Sequence, residues 1–338
     1  MERHGAPRLL EVNDRPLGLS GIQHAGLSPA QRLAHDLRTH AGERGEVGVV
    51  LAEAFALPRP VTVREPVRIT APASGDDARV GAVTADLTAF SSAVTSQGGT
   101  VVFVGATDRP PFAPGTPVWN RSTRSIGREF AVVNSATASV VCVDKTVLRG
   151  DEVRSRGVGS LHVLKPRWGS GSRHIHRGTL AELDRVRRDH PDEVFLCEPW
   201  IDGAVLQDAG KSYRFDLRVF VVGGRAAGTV VRRAAAPAVA PFDDSPLSWL
   251  TTTGPVLNAV AVADRRPSAQ DGLARLPGTW LAEAAELAER TTSAAELAAV
   301  GTTATGERPE FKRLHGITDR LKPVPLTFAP AGPEPAPK

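Results

Sequence analysis

The stretch Val163-Leu164-Lys165-Pro166-Arg167-Trp168-Gly169-Ser170-Gly171-Ser172 reads as an apolar strand that ends on a lysine and opens into a Gly/Ser turn. Gly169 and Gly171 permit positive φ and close approach of backbone N–H groups to an anion. Ser170 and Ser172 add hydroxyl donors, and Arg173 adds charge. Lysine is a compact point charge on a flexible stem, suited to a phosphate oxygen. No lysine precedes Lys145, in Val-Cys-Val-Asp144-Lys145, although the chain holds 41 Lys+Arg. A chain that mostly uses arginine thus places its first two lysines, Lys145 and Lys165, near a glycine-rich loop. The pattern points to a nucleotide-phosphate site; the alternative is a plain hairpin turn. It is not a P-loop, because GxxxxGK[ST] does not occur. Nor is there a Rossmann fingerprint, since Val-Phe-Val-Gly105-Ala-Thr-Asp108 supplies the strand but a single glycine.

Composition sets the frame around this segment. A length of 338 residues predicts about two or three domains, and 41% hydrophobic residues suffice for a substantial core. Aromatics are scarce at 5%, with Tyr213 the sole tyrosine. The net charge of +4 comes without any long run of like charges. It predicts weak attraction for anionic small molecules rather than a nucleic-acid footprint, unless it reflects only a genomic preference for arginine. Cys142 and Cys197 both sit in apolar runs, with no CxxC or Cys/His zinc spacing, so buried free thiols in a reducing compartment are expected. The polar start Met-Glu-Arg-His-Gly carries no apolar signal region, and no apolar stretch reaches membrane-spanning length. A cytoplasmic protein without membrane or nucleic-acid partners is the expectation.

Working outward, Arg8–Asn13 reads as a short strand, and Ser28-Pro29 as a helix start followed by helical spacing through Gln31–His40. Val47–Leu51 and Val61–Ile69 read as strands. Asp76 or Asp77 caps a helix through Ser96 that Gly98-Gly99 ends, and Thr100–Gly105 is a buried strand. Residues 45–135 therefore read as an α/β layer, with 106–128 a long turn-rich loop. Val140–Val143 and Leu161–Leu164 are expected strands, Thr179–Arg188 a helix, and Val194–Cys197 a strand. Arg214–Val222 pairs with Gly228–Arg233 through a turn at Gly223-Gly224. Trp280–Ala299 is an Ala/Glu/Leu helix, and the Pro/Ala composition of Pro323–Lys338 predicts a disordered tail.

Three further constellations carry chemistry. Glu198-Pro199-Trp200-Ile201, at a strand end, can present backbone groups to a purine edge with Trp200 and Ile201 against its face, or be an ordinary apolar strand end. In Arg214-Phe-Asp216-Leu-Arg218, alternation puts the three charges on one sheet face, which either meets solvent or lines a charged cleft; Arg232 and Arg233 on the partner strand favour a cleft for anions. Glu11 and Asn13 share a strand face at i, i+2, a placement able to hold a hard cation such as Mg²⁺.

The ordered set Asp144-Lys145, Lys165-Pro166 with Gly169-Ser170-Gly171-Ser172, Glu198-Pro199-Trp200-Ile201 and Arg214–Arg225 resembles the ATP-grasp superfamily, over roughly residues 130–235. The resemblance implies an α/β (α+β) ATP-grasp fold: two α+β subdomains around an ATP cleft, with an α/β pre-ATP-grasp substrate domain. It implies that Lys145 and Lys165 contact ATP, that the loop Gly169–Ser172 folds over the phosphates, and that Glu198, Pro199, Trp200 and Ile201 form the adenine hinge. Arg218 and Arg232 would face the reaction centre. The family's Glu-x-Asn magnesium signature normally follows these elements, whereas here Glu11-Val12-Asn13 precedes them. That order resembles the circularly permuted arrangement of eukaryotic-type glutathione synthetases and related peptide or amine ligases. Asp216 and Asp319 are candidates for a further acidic ligand.

The implied layout is a permuted metal-binding strand and helix at 1–44, the substrate domain at 45–135, the nucleotide-binding subdomain at 136–200, the second subdomain at 201–322 and the tail at 323–338. The implied activity is an ATP- and Mg²⁺-dependent carboxylate–amine ligase acting on an amino acid or short peptide through an acyl phosphate. A phosphotransferase on the same fold and a non-catalytic ATP-binding protein are the alternatives. The expected partners are small-molecule carboxylates and amines, with a homodimer left open. Residues 45–128 would select the substrates. Within them the loop Arg109–Arg128, with Arg121, Arg124 and Arg128, either meets a carboxylate or is a basic surface loop. His174 and His176 follow the glycine loop, where they touch phosphate or simply face solvent.

Overall fold

The computed structural model describes residues 19–20, 27–72, 77–106, 108–122, 126–127, 129–133, 161–166, 175–200, 205–208, 210–233, 256–259, 278–301 and 323–331. They form a mixed α/β structure with three main sheets. The first helix, α1 (Pro29–His40), starts at Ser28, whose hydroxyl accepts from the Gln31 amide while the Gln31 side chain accepts from the Ser28 amide. This reciprocal cap satisfies two amides that the first turn leaves without partners. Ala30, Leu33, Ala34 and Leu37 recur at helical spacing and are buried. The second helix, α2 (Asp77–Ser96), buries Val83, Leu87, Phe90 and Val94 along one stripe. It ends where Gly98 takes a φ of 72°.

Both helices cover one face of a five-stranded sheet. Its strands are β1 (Glu46–Val50), β3 (Val61–Val63), β5 (Thr100–Val104), β6 (Pro117–Asn120) and β7 (Ala131–Val133), in the order β3-β5-β1-β6-β7. β5, β1, β6 and β7 run parallel, and β3 joins the edge antiparallel to β5. On the helix side lie Val47, Val49, Leu51, Val101, Phe103 and Trp119, with the Phe90 and Trp119 rings 4.7 Å apart. Each fully buried large apolar side chain in this layer contributes about 1.5–3 kcal/mol. Val50, Val102, Val104 and Val118 point to the opposite face, where Phe112, Ile126 and Phe130 cover them. Phe112 seats against Gly48, where a Cβ would lie 2.6 Å from its ring.

Several expectations change here. Val61–Ile69 is two strands, β3 and β4 (Val67–Thr70), in different sheets. Pro66 divides them, because it offers no N–H for a continuous ladder. Within the predicted loop 106–128, residues 117–120 form the wholly buried strand β6. Its proline stands first, where a strand tolerates it. The predicted tail is ordered over 323–331. β15 (Val324–Pro325) pairs parallel with β2 (Phe55–Ala56), and β16 (Thr327–Pro330) pairs antiparallel with β4. The ladder uses the amides of Val324 and Leu326, so Pro323 and Pro325 fall where no donor is needed. Leu326 is buried, and the Phe328 ring lies 5.1 Å from Phe103. Residues 332–338 lie outside the described residues.

The second sheet is β10-β8-β9, all antiparallel, from β8 (His162–Pro166), β9 (His176–Gly178) and β10 (Phe195–Pro199). The helix α3 (Leu180–Asp189), capped by Thr179 and Glu182, packs on β8 and β9 and buries Leu183. The third sheet is β11-β12-β13-β14, from β11 (Val205–Asp208), β12 (Lys211–Val222), β13 (Arg225–Arg233) and β14 (Val256–Ala259). Gly223 and Gly224, at φ 56° and 73°, make the tight turn between β12 and β13. The helix α4 (Gly278–Gly301) packs on that hairpin, and Glu289 accepts from the Ala226 amide at 2.8 Å. The hairpin's turn end meets α1, so that Phe220 joins the core of the parallel sheet.

Candidate functional site

The three-stranded sheet has two unlike faces. Register pairs Lys165 with Leu196, and Val163 with both Glu198 and Arg177, so Lys165, Arg177 and Glu198 share one face. Alternation along the chain brings Trp200, just past β10, to the same side. On the other face stand His176 and Phe195, whose rings lie 6.4 and 6.5 Å from His190 at the end of α3. The helix therefore covers the histidine face and leaves the charged one to the rest of the molecule.

On the charged face, Lys165 Nζ donates to Glu198 Oε2 at 3.1 Å. The pair is largely withdrawn from solvent, with 24% of the lysine side chain and 11% of the glutamate side chain exposed. The Arg177 guanidinium lies over the Trp200 ring, 4.5 Å from its centroid. The Trp200 amide donates to Leu161 O at 2.9 Å, which fixes the start of the segment after β10. A lysine ammonium, a buried carboxylate and a planar indole thus converge at the strand that leads into residues 167–174. Arg177 was not singled out from the sequence. The signal for it is its place three residues before the helix start at Leu180, where hairpin pairing puts it opposite Val163.

Arg218 stands half-buried on β12, opposite Val230, and Arg232 stands on β13 opposite Asp216. This register places Arg218, Asp216 and Arg232 on one sheet face, as the alternation predicts. The same face carries Phe220 into the core beside α1 at the hairpin's turn end. Lys145, Gly169, Ser170, Gly171, Ser172, Ile201, Glu11 and Asn13, along with the strands expected at Arg8–Asn13 and Val140–Val143, lie outside the described residues. Asp319 and His174 lie there too. Among the described residues no group of three or more His, Cys, Asp and Glu side chains is placed to hold a metal ion. Of the residues expected to contact ATP, Lys165, Glu198, Pro199 and Trp200 lie among those described; Glu11 and Asn13, expected to hold Mg²⁺, do not.

Cys197 is a free thiol and is exposed, not buried as its apolar run predicts. It lies on β10, which occupies an edge of its sheet. Partial desolvation first, and the Glu198 charge second, push its pKa up, so the unreactive thiol form is favoured.

A second polar centre occurs at the parallel sheet. Asp86 of α2 is fully buried and accepts from the Ser20 amide at 2.8 Å and the Ser20 hydroxyl at 2.9 Å. Burial pushes its pKa up, while the Ser20 hydrogen bonds and the Arg121 charge oppose that shift. Arg121, expected in a basic surface loop or facing a carboxylate, is only 4% exposed and lies over Trp119 at 4.8 Å. Asn120 Oδ1 accepts from the Ser122 amide and hydroxyl at 3.0 and 2.8 Å, which turns the chain at the end of β6.

No protein-family model matches the chain, and no curated protein matches it. No helix among the described residues is long and apolar enough to cross a membrane.

Proposed function

We propose that the chain is an ATP-dependent carboxylate–amine ligase with a permuted ATP-grasp fold, acting on an amino acid or short peptide. The observation that carries the reading is the Lys165–Glu198 pair at 3.1 Å, beside Trp200 and at the strand entering the Gly/Ser segment. Glu198 fixes the lysine stem and takes one of the ammonium's three donors. Two donors remain for phosphate oxygens, and an incoming triphosphate meets a cation already oriented. Gly169, Ser170, Gly171 and Ser172 would add amide and hydroxyl donors, with Lys145 a second cation. Pro199, Trp200 and Ile201 would flank the base.

Arg218 and Arg232 would hold the anionic centre at which a substrate carboxylate oxygen attacks the γ-phosphorus and ADP leaves. The amine then attacks the acyl carbon, phosphate departs and a proton is lost. The protein's part is positioning and charge neutralisation. Glu11 and Asn13 would hold Mg²⁺, which neutralises phosphate charge when bound. Residues 45–135 would form the substrate domain, residues 136–200 and 201–322 the two subdomains around the nucleotide. A cytoplasmic location, a homodimer and the absence of nucleic-acid or membrane partners belong to the same reading.

Incubation with ATP, Mg²⁺ and a mixture of amino acids tests it by mass spectrometry. ADP with a new amide supports the ligase. ADP with a phosphorylated product makes the chain a phosphotransferase, and nucleotide binding without turnover makes it a binding protein. If Lys165→Ala leaves ATP affinity unchanged, the nucleotide site itself is misplaced.

A further inference from the structure

The parallel sheet carries a cavity that the nucleotide reading does not use. In an open parallel sheet, ligands gather outside the carboxyl ends of the strands where the strand order reverses. Here the chain passes from β1 to β5 on one side and then back across to β6 on the other, so the reversal lies at the ends of β1 and β6. α1 and α2 cover only one face of this sheet. The opposite face is roofed by loop side chains, Phe112, Ile126 and Phe130, with the Phe112 and Phe130 rings 5.7 Å apart at 83°. Between that roof and Val50, at the carboxyl end of β1, lies a cavity of about 280 Å³.

The lining has three ionisable groups of both signs. Asp108, Arg109 and Glu129 stand round the apolar patch made by Phe112, Ile126 and Phe130. Arg109 and Glu129 are exposed at its mouth, while Asp108 is held in place by the Gly105 amide at 2.9 Å. At about 280 Å³ the cavity is close to the lower end of small-molecule pockets, roughly 300 Å³, a size that suits a single small metabolite. Two carboxylates at the rim repel a polyphosphate. A molecule that complements the lining has an anionic end for Arg109, a cationic end for Glu129 and Asp108, and an apolar body for the aromatic roof.

We propose that this cavity binds a free α-amino acid with an apolar side chain, its carboxylate on Arg109 and its ammonium facing Glu129 and Asp108. As a substrate site it rests on the ligase reading above; as a binding site it does not.

The test is calorimetric titration of the full chain with L-leucine, L-phenylalanine and L-methionine in the absence of nucleotide. At least one amino acid is expected to bind, and N-acetyl-leucine and leucinamide, each lacking one charge, to bind about tenfold or more weakly. Arg109→Ala and Glu129→Gln each lower amino-acid affinity by a similar factor. Both side chains are exposed, so an unchanged melting temperature shows that the fold is kept. No binding of any of the three at millimolar concentration overturns the proposal, as does equal binding of the two blocked derivatives. ATP affinity measured on the same variants separates the two sites. Amino-acid binding that survives Lys165→Ala supports this cavity whatever becomes of the nucleotide reading. ATP affinity that falls with Arg109→Ala places the nucleotide here and overturns the proposal.

Discussion

The five-stranded and three-stranded sheets use the same strand alternation to opposite ends. Along β1 and β5, nearly every side chain on both faces is apolar and buried, so the strands are held by packing. Along β8 and β10 the alternation sorts chemistry: a histidine and phenylalanine face goes under α3, while Lys165, Glu198 and Trp200 stay on the other side with Arg177. The first sheet is expected to stay folded when a polar contact is lost. The second has little apolar area in reserve, and its ion pair is part of its structure. Stability and chemistry are thus divided between regions.

The largest expected effect lies in the packed region. Trp119 is 1% exposed, against Phe90, with Arg121 over its ring. Trp119→Ala leaves a cavity bounded by two helices and a sheet, and is expected to lower global stability by about 3–5 kcal/mol in urea unfolding. A loss below 1 kcal/mol would mean that the parallel sheet is not the main store of stability.

The next effect belongs to the charged face. Lys165→Ala removes the ammonium paired with a nearly buried carboxylate, and removing one member of a buried pair costs about 3 kcal/mol or more. Solvent reaches part of this pair, so the expected loss is about 2 kcal/mol. Adding Glu198→Gln to that variant should restore much of it, because the buried charge that lost its ammonium is then removed as well. If the double variant is as unstable as the sum of the singles, the two side chains do not act together.

The contrast also shows what a sequence exposes. The ends of α1 and α2 were legible because Ser28-Pro29 and Gly98-Gly99 act within one turn of chain. The β12–β13 hairpin was legible because two glycines leave a single kind of tight turn. β6 was hidden: Val118 and Trp119 are too short a run to outweigh the surrounding prolines, and burial between β1 and β7 decides their state. The strands at 324–330 were hidden because composition counts prolines without asking which amides the ladder needs. At the candidate site Lys165 and Glu198 were each visible, but their contact spans 33 positions and follows only from strand register. Asp86 gave no signal, since one carboxylate in a helix is ordinary until its surroundings are known.

Asp86 gives a third, smaller contrast, for here the packed region holds a charge. Its folded pKa is raised by burial, so the native state binds the proton more tightly than the unfolded chain, whose value is near 3.8. The contribution to stability is therefore greatest below the unfolded value and is lost as pH rises through the folded one. Asp86→Asn keeps an oxygen acceptor for Ser20 and should flatten this limb of the stability–pH curve. Urea midpoints measured across the acid range for both proteins check it. Parallel curves for the two would show that Asp86 titrates as an exposed carboxylate does, despite its burial. Arg121 stays charged throughout and moderates the effect.

The smallest expected effects compare one motif in both regions. Ser28 with Gln31 caps α1, and Thr179 with Glu182 caps α3, by the same pair of reciprocal hydrogen bonds. Ser28 is buried at 3% exposure, whereas Thr179 is half-buried and its partner Glu182 is exposed. An N-cap hydroxyl is worth about 1 kcal/mol, more where water cannot replace it. Ser28→Ala leaves the Gln31 amide without its acceptor beside the main core, and α1 also touches β12 and β13. Its cost should appear in the global unfolding of the parallel sheet. Thr179→Ala opens an end that solvent already reaches, so its cost should be smaller and local. Faster hydrogen exchange is expected at the amides of Glu182 and Leu183, with little change in the urea midpoint. Equal shifts in the midpoint for both would show that the two sheets unfold as one cooperative unit, and that the division between a packed frame and a charged face is one of chemistry alone.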